Sequence, residues 1–311
     1  MGKVILVTGT NGFVGRNLIR RLSQDKERTI VATDVQDSLI PLSDERQFIV
    51  YRKGDLSERD VVDKLKQEFR FDCIINLAAV LSQAADMETY FSIMNSNIRA
   101  TFLLLEMAKS HKARFIFPST ALVYGSQKGP FREEMLTDPG DFYSLSKLMC
   151  EQLIRFYGHK YDVPSVIFRI GILYGPSQTG GMFIPSMINA LLSGKEFPMT
   201  PGEQTRDFVY IEDFVEAVNR VLADDTITGT FNIGSGKAPT LKETAQMAEK
   251  ITGAGNLIRI GAVPYREKES GEYCLDADKA REAFGWSAAT DIEHGLANTI
   301  DYLKKKGVSH A

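Results

Sequence analysis

Two side chains four residues apart, Tyr143 and Lys147, form the pattern in this chain that most directly suggests chemistry. Positions i and i+4 share one face of an α-helix, so the phenol and the ammonium would point the same way. A free tyrosine has a pKa of about 10, and a nearby ammonium lowers that pKa by favouring the phenolate. The pair could therefore take a proton from an alcohol. Taken alone, the spacing is better explained by an ordinary buried tyrosine.

A glycine-rich turn near the N-terminus gives the pair a context. It follows the apolar run Val4–Val7 and precedes a helical stretch. Glycines there allow a tight turn, let backbone N–H groups approach a pyrophosphate, and let the helix pack closely on the sheet. The helix dipole adds to the attraction for phosphate. An ordinary strand-to-helix turn is the alternative. The residues predicted to bind a dinucleotide here are Gly9, Asn11, Gly12, Phe13, Val14 and Gly15.

Further candidate cofactor residues follow the next predicted strands. Asp34 ends the second strand, where its carboxylate could accept hydrogen bonds from both ribose hydroxyls and would repel a 2′-phosphate. This favours NAD over NADP, although a polar strand cap is the alternative for Asp34. After the third strand, Asp55 and Leu56 could receive the adenine amino group. After the fourth strand come small or apolar residues that could lie flat beneath the cofactor, namely Leu77, Ala78 and Ala79.

The fifth predicted strand runs into two hydroxyl residues, Ser119 and Thr120. Thr120 could hydrogen-bond the reacting oxygen, and Ser119 could substitute for it. With a nicotinamide bound nearby, Tyr143 would take the proton of a carbinol while its hydride leaves for the ring. Lys147 would also hold the nicotinamide ribose. The sequence thus predicts a redox site with Thr120, Tyr143 and Lys147 as catalytic residues.

Composition narrows the classes of protein that need considering. The 311 residues carry a formal net charge of −3, which argues against a nucleic-acid binder that works by bulk electrostatics. Three scattered cysteines and four histidines suggest neither a disulfide framework nor a structural metal site. The N-terminal apolar run is too short for a signal peptide, and no stretch approaches the roughly 20 apolar residues that span a bilayer. We therefore expect a cytoplasmic protein without a membrane segment.

Strand and helix patterns alternate through the first half of the chain. This alternation predicts an α/β fold, a Rossmann-type doubly wound parallel sheet, with ligands outside the carboxyl ends of the strands. After Gly175-Pro176 the rhythm breaks, and the remainder reads as a smaller, interleaved substrate lobe. The predicted division is a nucleotide-binding domain of residues 1–170, to which residues 205–232 return, and a substrate lobe of residues 171–204 and 233–311.

The chain resembles the extended short-chain dehydrogenases/reductases, specifically the NAD-dependent nucleotide-sugar epimerase/dehydratase family. The resemblance implies that Thr120, Tyr143 and Lys147 are catalytic, and that Asn97 belongs to the cofactor site. It also implies that Arg206 contacts the substrate's diphosphate, for which a bidentate guanidinium is suited. Pairing with Asp207 or Glu212 is the alternative for Arg206, and Arg266 stands where a second diphosphate or ribose contact is usual. The matching motifs are 8–15, 77–79, 119–125, Tyr143 with Lys147, 174–176, 206–210, 232–236 and 284–286.

Three departures from the family pattern refine the expected reaction. Dehydratases of the family carry an Asp-Glu pair after the catalytic threonine, whereas this chain has Ala121 and Leu122. Residues 172 and 173 are Ile and Leu where an asparagine commonly touches substrate phosphate, and Asn76 stands where histidine is common. The resemblance then implies epimerisation of a nucleotide-diphosphate sugar at C4. A one-way oxidoreductase, either a 4-keto-sugar reductase or a small-alcohol dehydrogenase, is the alternative, and a non-catalytic cofactor sensor is a third reading.

Two helices are apolar on more than one face, around residues 98–108 and 142–161. Such helices could pair with their mates in a four-helix homodimer interface, as the resemblance implies. The alternative is that both are enclosed between the sheet and the second lobe.

Overall fold

The computed structural model describes residues 2–40, 49–82, 84–179, 181–265 and 271–306. The chain divides into two compact units. The first comprises Met1–Gly125, Leu136–Arg169 and Asn219–Phe231, and the second comprises Ser126–Met135, Ile170–Val218 and Asn232–Ala311. Of the predicted returning range 205–232, the first unit therefore contains only the last part.

The strands are β1 Val4–Thr8, β2 Thr29–Asp34, β3 Ile49–Lys53, β4 Cys73–Ile75, β5 Arg114–Thr120, β6 Ser165–Ile170, β7 Ile172–Tyr174, β8 Phe197–Met199, β9 Phe208–Tyr210, β10 Gly229–Ile233 and β11 Ile258–Ile260. Seven of them form one sheet in the order β10-β6-β5-β4-β1-β2-β3. The ladders β3–β2–β1–β4–β5 run parallel. This order reverses direction between β1 and β4, the point at which such sheets bind ligands.

The helices are α1 Phe13–Leu22, α2 Arg59–Glu68, α3 Met87–Ile93, α4 Ala100–His111, α5 Phe142–Tyr161, α6 Phe183–Leu192, α7 Ile211–Ala223, α8 Leu241–Thr252, α9 Asp278–Phe284 and α10 Ile292–Lys306. The sequence predicted one helix from about residue 97. In the structure, α3 precedes it, and the π-helical segment Met94–Arg99 joins α3 to α4. Among the described residues, no helix has both the length and the apolar character to cross a bilayer.

The continuous apolar runs of β1, β4 and β5 are explained by burial on both sheet faces. On one face, Leu6, Ile74 and Phe115 pack with side chains of α2, α4 and α5. The alternate strand residues, such as Ile5 and Ile75, are also fully buried. Each such side chain contributes about 1.5–3 kcal/mol when it leaves water. The sheet is thereby a rigid base for the loops at its carboxyl edge.

The second unit has a core of its own. Helices α6, α8 and α10 contribute apolar side chains, which pack with β7 and β9. Phe208–Tyr210, which the sequence suggested as a strand able to return to the main sheet, pairs in parallel with β7 instead. The buried Trp286 donates its indole N–H to the carbonyl of Asp213 at 2.8 Å, which ties α7 to the chain after α9.

Candidate active site

The glycine turn between β1 and α1 has the close packing that its sequence predicted. Gly9 adopts a left-handed conformation (φ 63°), and a Cβ there would lie 2.9 Å from the backbone of Ala78. A Cβ on Gly15 would overlap the carbonyl oxygen of Gly9. Gly12 is the N-cap of α1, and it provides no side-chain cap for the first-turn N–H groups. Those groups, together with the helix dipole, are available to bind a phosphate.

Asp34 lies beside this turn, at the end of β2. Its Oδ2 accepts the backbone N–H of Asn11 at 2.9 Å, so the carboxylate and the turn are fixed to each other. The Asn11 amide in turn donates to the carbonyl of Ser38 and accepts from the N–H of Ile40, which folds the following loop back onto the turn. An ionised carboxylate has lone pairs left for ribose hydroxyls. The glycine cradle and Asp34 therefore fit an adenine dinucleotide.

The predicted residues after β3 and β4 lie at the same sheet edge. Asp55 is exposed, and its Oδ1 accepts the N–H of Ser57 at 2.9 Å. The side chain of Leu56 is buried in the core beneath, which leaves its backbone as the part that could contact a ligand. Ala78 donates its N–H to Thr8 Oγ1 at 2.9 Å, and Ala79, next in the chain, is exposed. These positions stay predictions of cofactor contact.

A buried polar chain under this edge was not predicted from the sequence. Thr8 donates to Asn76 Oδ1 at 2.9 Å, and Asn76 Nδ2 donates to Thr101 Oγ1 at 2.9 Å. Thr101 donates to the carbonyl of Asn97 at 2.6 Å. The unusual Asn76 therefore links β1 and β4 to the helix behind them. Its amide can donate and accept at once, which suits a buried residue with two hydroxyl partners.

Asn97 lies in the π-helical segment and fixes two parts of the site. Its Oδ1 accepts the N–H of Val80 at 2.8 Å, and its Nδ2 donates to Ser146 Oγ at 3.0 Å. Ser146 donates to the carbonyl of Tyr143 at 2.7 Å. Single π turns inside α-helices are frequent at functional sites. Here the turn brings a buried amide to the loop after β4 and to the helix of the proton-transfer pair.

Tyr143 and Lys147 lie in the first turns of α5, which a capping box of Asp141 and Ser144 starts. Lys147 Nζ donates to the carbonyl of Pro118 at 2.9 Å and lies 5.9 Å from the centre of the Tyr143 ring. Thr120 ends β5, and its Oγ1 accepts the N–H of Leu122 at 3.2 Å, so its own hydroxyl proton is free to be donated. The first unit thus brings together β5 and the proton-transfer pair.

Burial changes the acidity of both members of the pair. Desolvation lowers the pKa of Lys147 to about 8. Desolvation, aided by the charge of Asp141, raises the pKa of Tyr143 above its ordinary 10. The sequence suggested that the ammonium together with a bound nicotinamide cation would lower this pKa, whereas in the ligand-free protein desolvation raises it. The phenol of the ligand-free protein is therefore protonated at neutral pH, and a cation bound beside it would lower its pKa.

Ser119 does not share the setting of Thr120. Its side chain is buried and donates to Glu151 Oε1 at 2.6 Å. The predicted role of Ser119 in substrate binding stays a prediction, and the observed partner is internal.

The two predicted substrate arginines belong to the second unit. Arg206 is half-buried two residues before β9, and its Nη1 donates to the carbonyl of Thr205 at 2.8 Å. The adjacent Asp207 is fully buried and accepts hydrogen bonds from the N–H and the hydroxyl of Ser235. Arg266 lies outside the described residues. Both diphosphate contacts stay predictions.

Comparison with known sequences agrees with these features. The family model of the NAD dependent epimerase/dehydratase family matches residues 5–234. A Bacillus subtilis (strain 168) protein, the uncharacterized UDP-glucose epimerase YtcB, is 31% identical over 96% of this chain and 97% of its own length. A dTDP-glucose 4,6-dehydratase from Neisseria gonorrhoeae is 30% identical over 98% of this chain and 96% of its own length.

Solved structures agree over nearly the whole length. The UDP-glucose 4-epimerase of Thermotoga maritima, solved with UDP-glucose, has a TM-score of 0.89 and 25% identity, over 97% of this chain and 99% of its own. The UDP-glucuronic acid 4-epimerase of Bacillus cereus, solved with UDP-glucuronic acid and NAD, has a TM-score of 0.88 and 28% identity, over 98% and 100%. The chain therefore belongs to the NAD dependent epimerase/dehydratase family, among the extended short-chain dehydrogenases/reductases, and is an NAD-dependent enzyme of that family.

Proposed function

We propose that the protein epimerises a nucleotide-diphosphate sugar at C4 through a transient 4-keto sugar. The observation that carries the proposal is the placement of Tyr143 and Lys147 on α5 beside the end of β5, with Thr120 as its last residue. Bound NAD supplies a hydride acceptor that can return the hydride to the same carbon. The relatives and structural neighbours include both epimerases and dehydratases.

The chain's own residues account for holding and moving the proton. Thr120 donates a hydrogen bond to the C4 oxygen and orients it toward Tyr143. The Tyr143 phenolate accepts the C4 hydroxyl proton as the ketone forms, and the phenol returns it when the alcohol is restored. Lys147, protonated below a pKa of about 8, favours the phenolate by its charge. Arg206 would bind the diphosphate, which leaves the sugar free to present either face.

The residues after Thr120 favour epimerisation over dehydration. Removing water from C5 and C6 needs an acid and a base beside the 4-keto sugar. Here Ala121 is fully buried, and Leu122 is a partly exposed aliphatic side chain. Neither can exchange a proton. The lack of an acid–base pair at these two positions favours reduction of the 4-keto sugar at C4 over loss of water.

A sugar nucleotide carrying deuterium at C4 distinguishes the reactions in one experiment. The enzyme is incubated with UDP-, dTDP-, GDP- and CDP-hexoses labelled in this way, and the products are examined by NMR. An epimerase returns the label to C4 of the inverted sugar. A dehydratase delivers it to C6, and a one-way dehydrogenase releases it in NADH. Label at C6, label in free NADH, or no conversion of any of these sugars would refute the proposal.

Tyr143→Phe tests the assignment of the proton carrier. We expect turnover to fall by about 10²-fold or more, the usual contribution of a positioned acid or base, while NAD still binds. Tyr161→Phe is a matched control, since Tyr161 is an exposed tyrosine on the same helix. Near-normal rates of the Tyr143→Phe variant would show that another group moves the proton.

We also propose that the protein forms a homodimer through the outer faces of α3, α4 and α5. Monomers rarely expose a contiguous apolar patch of large side chains, and α4 packs on α5 through the Phe102–Tyr157 ring contact. The exposed large apolar or aromatic residues on these helices and on the π-helical segment, among the described residues, are Met87, Phe91, Met94, Phe102, Leu145, Met149, Phe156 and Tyr161.

The molar mass of the protein in solution tests whether it forms this homodimer. Light scattering should give twice the mass of one chain, and Met149→Glu with Phe156→Glu should give the monomer. Ile260→Glu is the control, because Ile260 is an equally exposed apolar residue of the second unit. A monomeric unaltered protein would contradict the proposal.

A further inference from the structure

A third titratable side chain lies on the face of α5 that carries Tyr143 and Lys147. Glu151 lies four residues beyond Lys147, so the three side chains share one helix face. Its carboxylate is completely buried. Burying a carboxylate is strongly unfavourable unless it is paired and hydrogen-bonded, which raises the question of what this group does.

The Glu151 carboxylate is bound from three sides within the first unit. Arg169 of β6 donates to it from Nε at 3.2 Å and from Nη2 at 2.8 Å, and Arg169 itself is 2% exposed. Arg155, one turn farther along α5, donates from Nη2 at 2.9 Å. The remaining donor is the hydroxyl of Ser119 on β5, at 2.6 Å. The carboxylate therefore joins α5 to both β5 and β6.

The residues that this network joins lie on both sides of Thr120, whose hydroxyl is proposed to bind the C4 oxygen. Lys147 holds the carbonyl of Pro118, and Glu151 holds the hydroxyl of Ser119, so consecutive residues of β5 are fastened to α5. Thr120 comes next. Beyond it, the 3₁₀ turn Ala121–Tyr124 ends with the Tyr124 ring, 4.9 Å from the Arg169 guanidinium carbon. The network therefore holds the chain on both sides of Thr120.

We propose that Glu151, held by Arg169, is a positioning residue that fixes the end of β5 on α5, so that the Thr120 hydroxyl acts on the same oxygen as Tyr143. This inference rests on the roles proposed above for Thr120 and Tyr143. It assigns Ser119 an internal role, because its one hydroxyl proton is used on Glu151. A hydroxyl bound to an ionised carboxylate forms one of the stronger hydrogen bonds in proteins.

Ser119→Ala tests the inference with little disturbance. Glu151→Gln would leave Arg169 without its carboxylate and would weaken the fold, whereas Ser119→Ala removes a single hydrogen bond. We expect kcat to fall about tenfold or more, since small displacements of catalytic groups cost this much, with KM and NAD affinity nearly unchanged. Ser119→Thr, which keeps the hydroxyl, should restore kcat. Ser23→Ala is the control, because Ser23 is a buried serine at the end of α1.

A raised KM with unchanged kcat would make Ser119 a substrate contact and overturn the inference. A second readout is independent of turnover. Hydrogen exchange of the NAD-bound protein should become faster in residues 120–124 of Ser119→Ala, and should stay unchanged in this segment of Ser23→Ala. Equal protection in both variants would overturn the positioning role even if no nucleotide sugar were converted. Failure of the inference is thereby distinguishable from failure of the proposed function.

Discussion

The buried amine of Lys147 should make the fold less stable at neutral pH than at alkaline pH. Its pKa falls from the ordinary 10.5 to about 8 because burial disfavours the charged form. The folded state therefore loses this proton at lower pH than the unfolded chain does. Below pH 8 the amine is protonated in both states, and burial of its charge lowers the free energy of unfolding by the full amount. Between pH 8 and 10.5 this destabilisation disappears. At about 1.4 kcal/mol per pKa unit, the destabilisation amounts to about 3 kcal/mol.

Lys147→Met removes the titrating group and isolates this contribution. The free energy of unfolding is measured with urea at several pH values from 7 to 10.5. The variant's value should exceed that of the unaltered protein by the largest amount at pH 7. The difference between variant and unaltered protein should shrink by about 3 kcal/mol toward the high end. Groups remote from Lys147 titrate in both proteins and cancel in the difference. Lys147→Arg should show no such recovery, since arginine keeps its charge throughout. A difference that is constant across this range would refute the reasoning.

Three further outcomes are expected. Gly9→Ala should lower stability and NAD affinity by more than Gly253→Ala does, because both glycines have positive φ but only Gly9 abuts another backbone; equal losses of stability in urea would contradict the close approach. Asp34→Asn should raise the affinity for NADP relative to NAD in a binding titration, because the charge that repels a 2′-phosphate is removed; an unchanged ratio would contradict that role. Tyr174→Phe should leave the free energy of unfolding unchanged or raise it by about 1 kcal/mol, because the buried Tyr174 hydroxyl has no hydrogen-bond partner among the described residues. Tyr157→Phe should lower it by a similar amount, because Tyr157 donates to Glu106; equal effects of the two variants would contradict the assignment.

The residues that could be predicted from the sequence belong to motifs whose members lie only a few positions apart. The glycine turn lies within a few residues of β1, and Tyr143 and Lys147 are one helical turn apart. Strand patterns likewise predicted the parallel sheet, and the position of Asp34 followed from the end of β2. The family resemblance added Asn97 and the two arginines, Arg206 and Arg266.

The unpredicted features join residues that are distant in the sequence. Ser119 and Glu151 are 32 residues apart, and Thr8 and Asn76 are 68 apart, so neither contact leaves a local pattern. The direction of the Tyr143 pKa shift depends on burial, which spacing does not reveal. The π turn at Met94–Arg99 leaves no local signal in the sequence, because the apolar pattern of a helix does not specify one extra residue.

The π turn limits the single-residue insertions and deletions that this part of the chain can tolerate. Each residue of an α-helix advances the chain by about 100°, so one residue accommodated as a bulge alters the rotational phase of α3 against α4 by that angle. Removing one residue from Met94–Arg99 would restore a regular helix, yet it would turn the Asn97 amide away from Val80 and Ser146. The exposed side chains of α3 would swing around the axis as well. A single-codon deletion here would be far more damaging than the same deletion at the exposed end of α10.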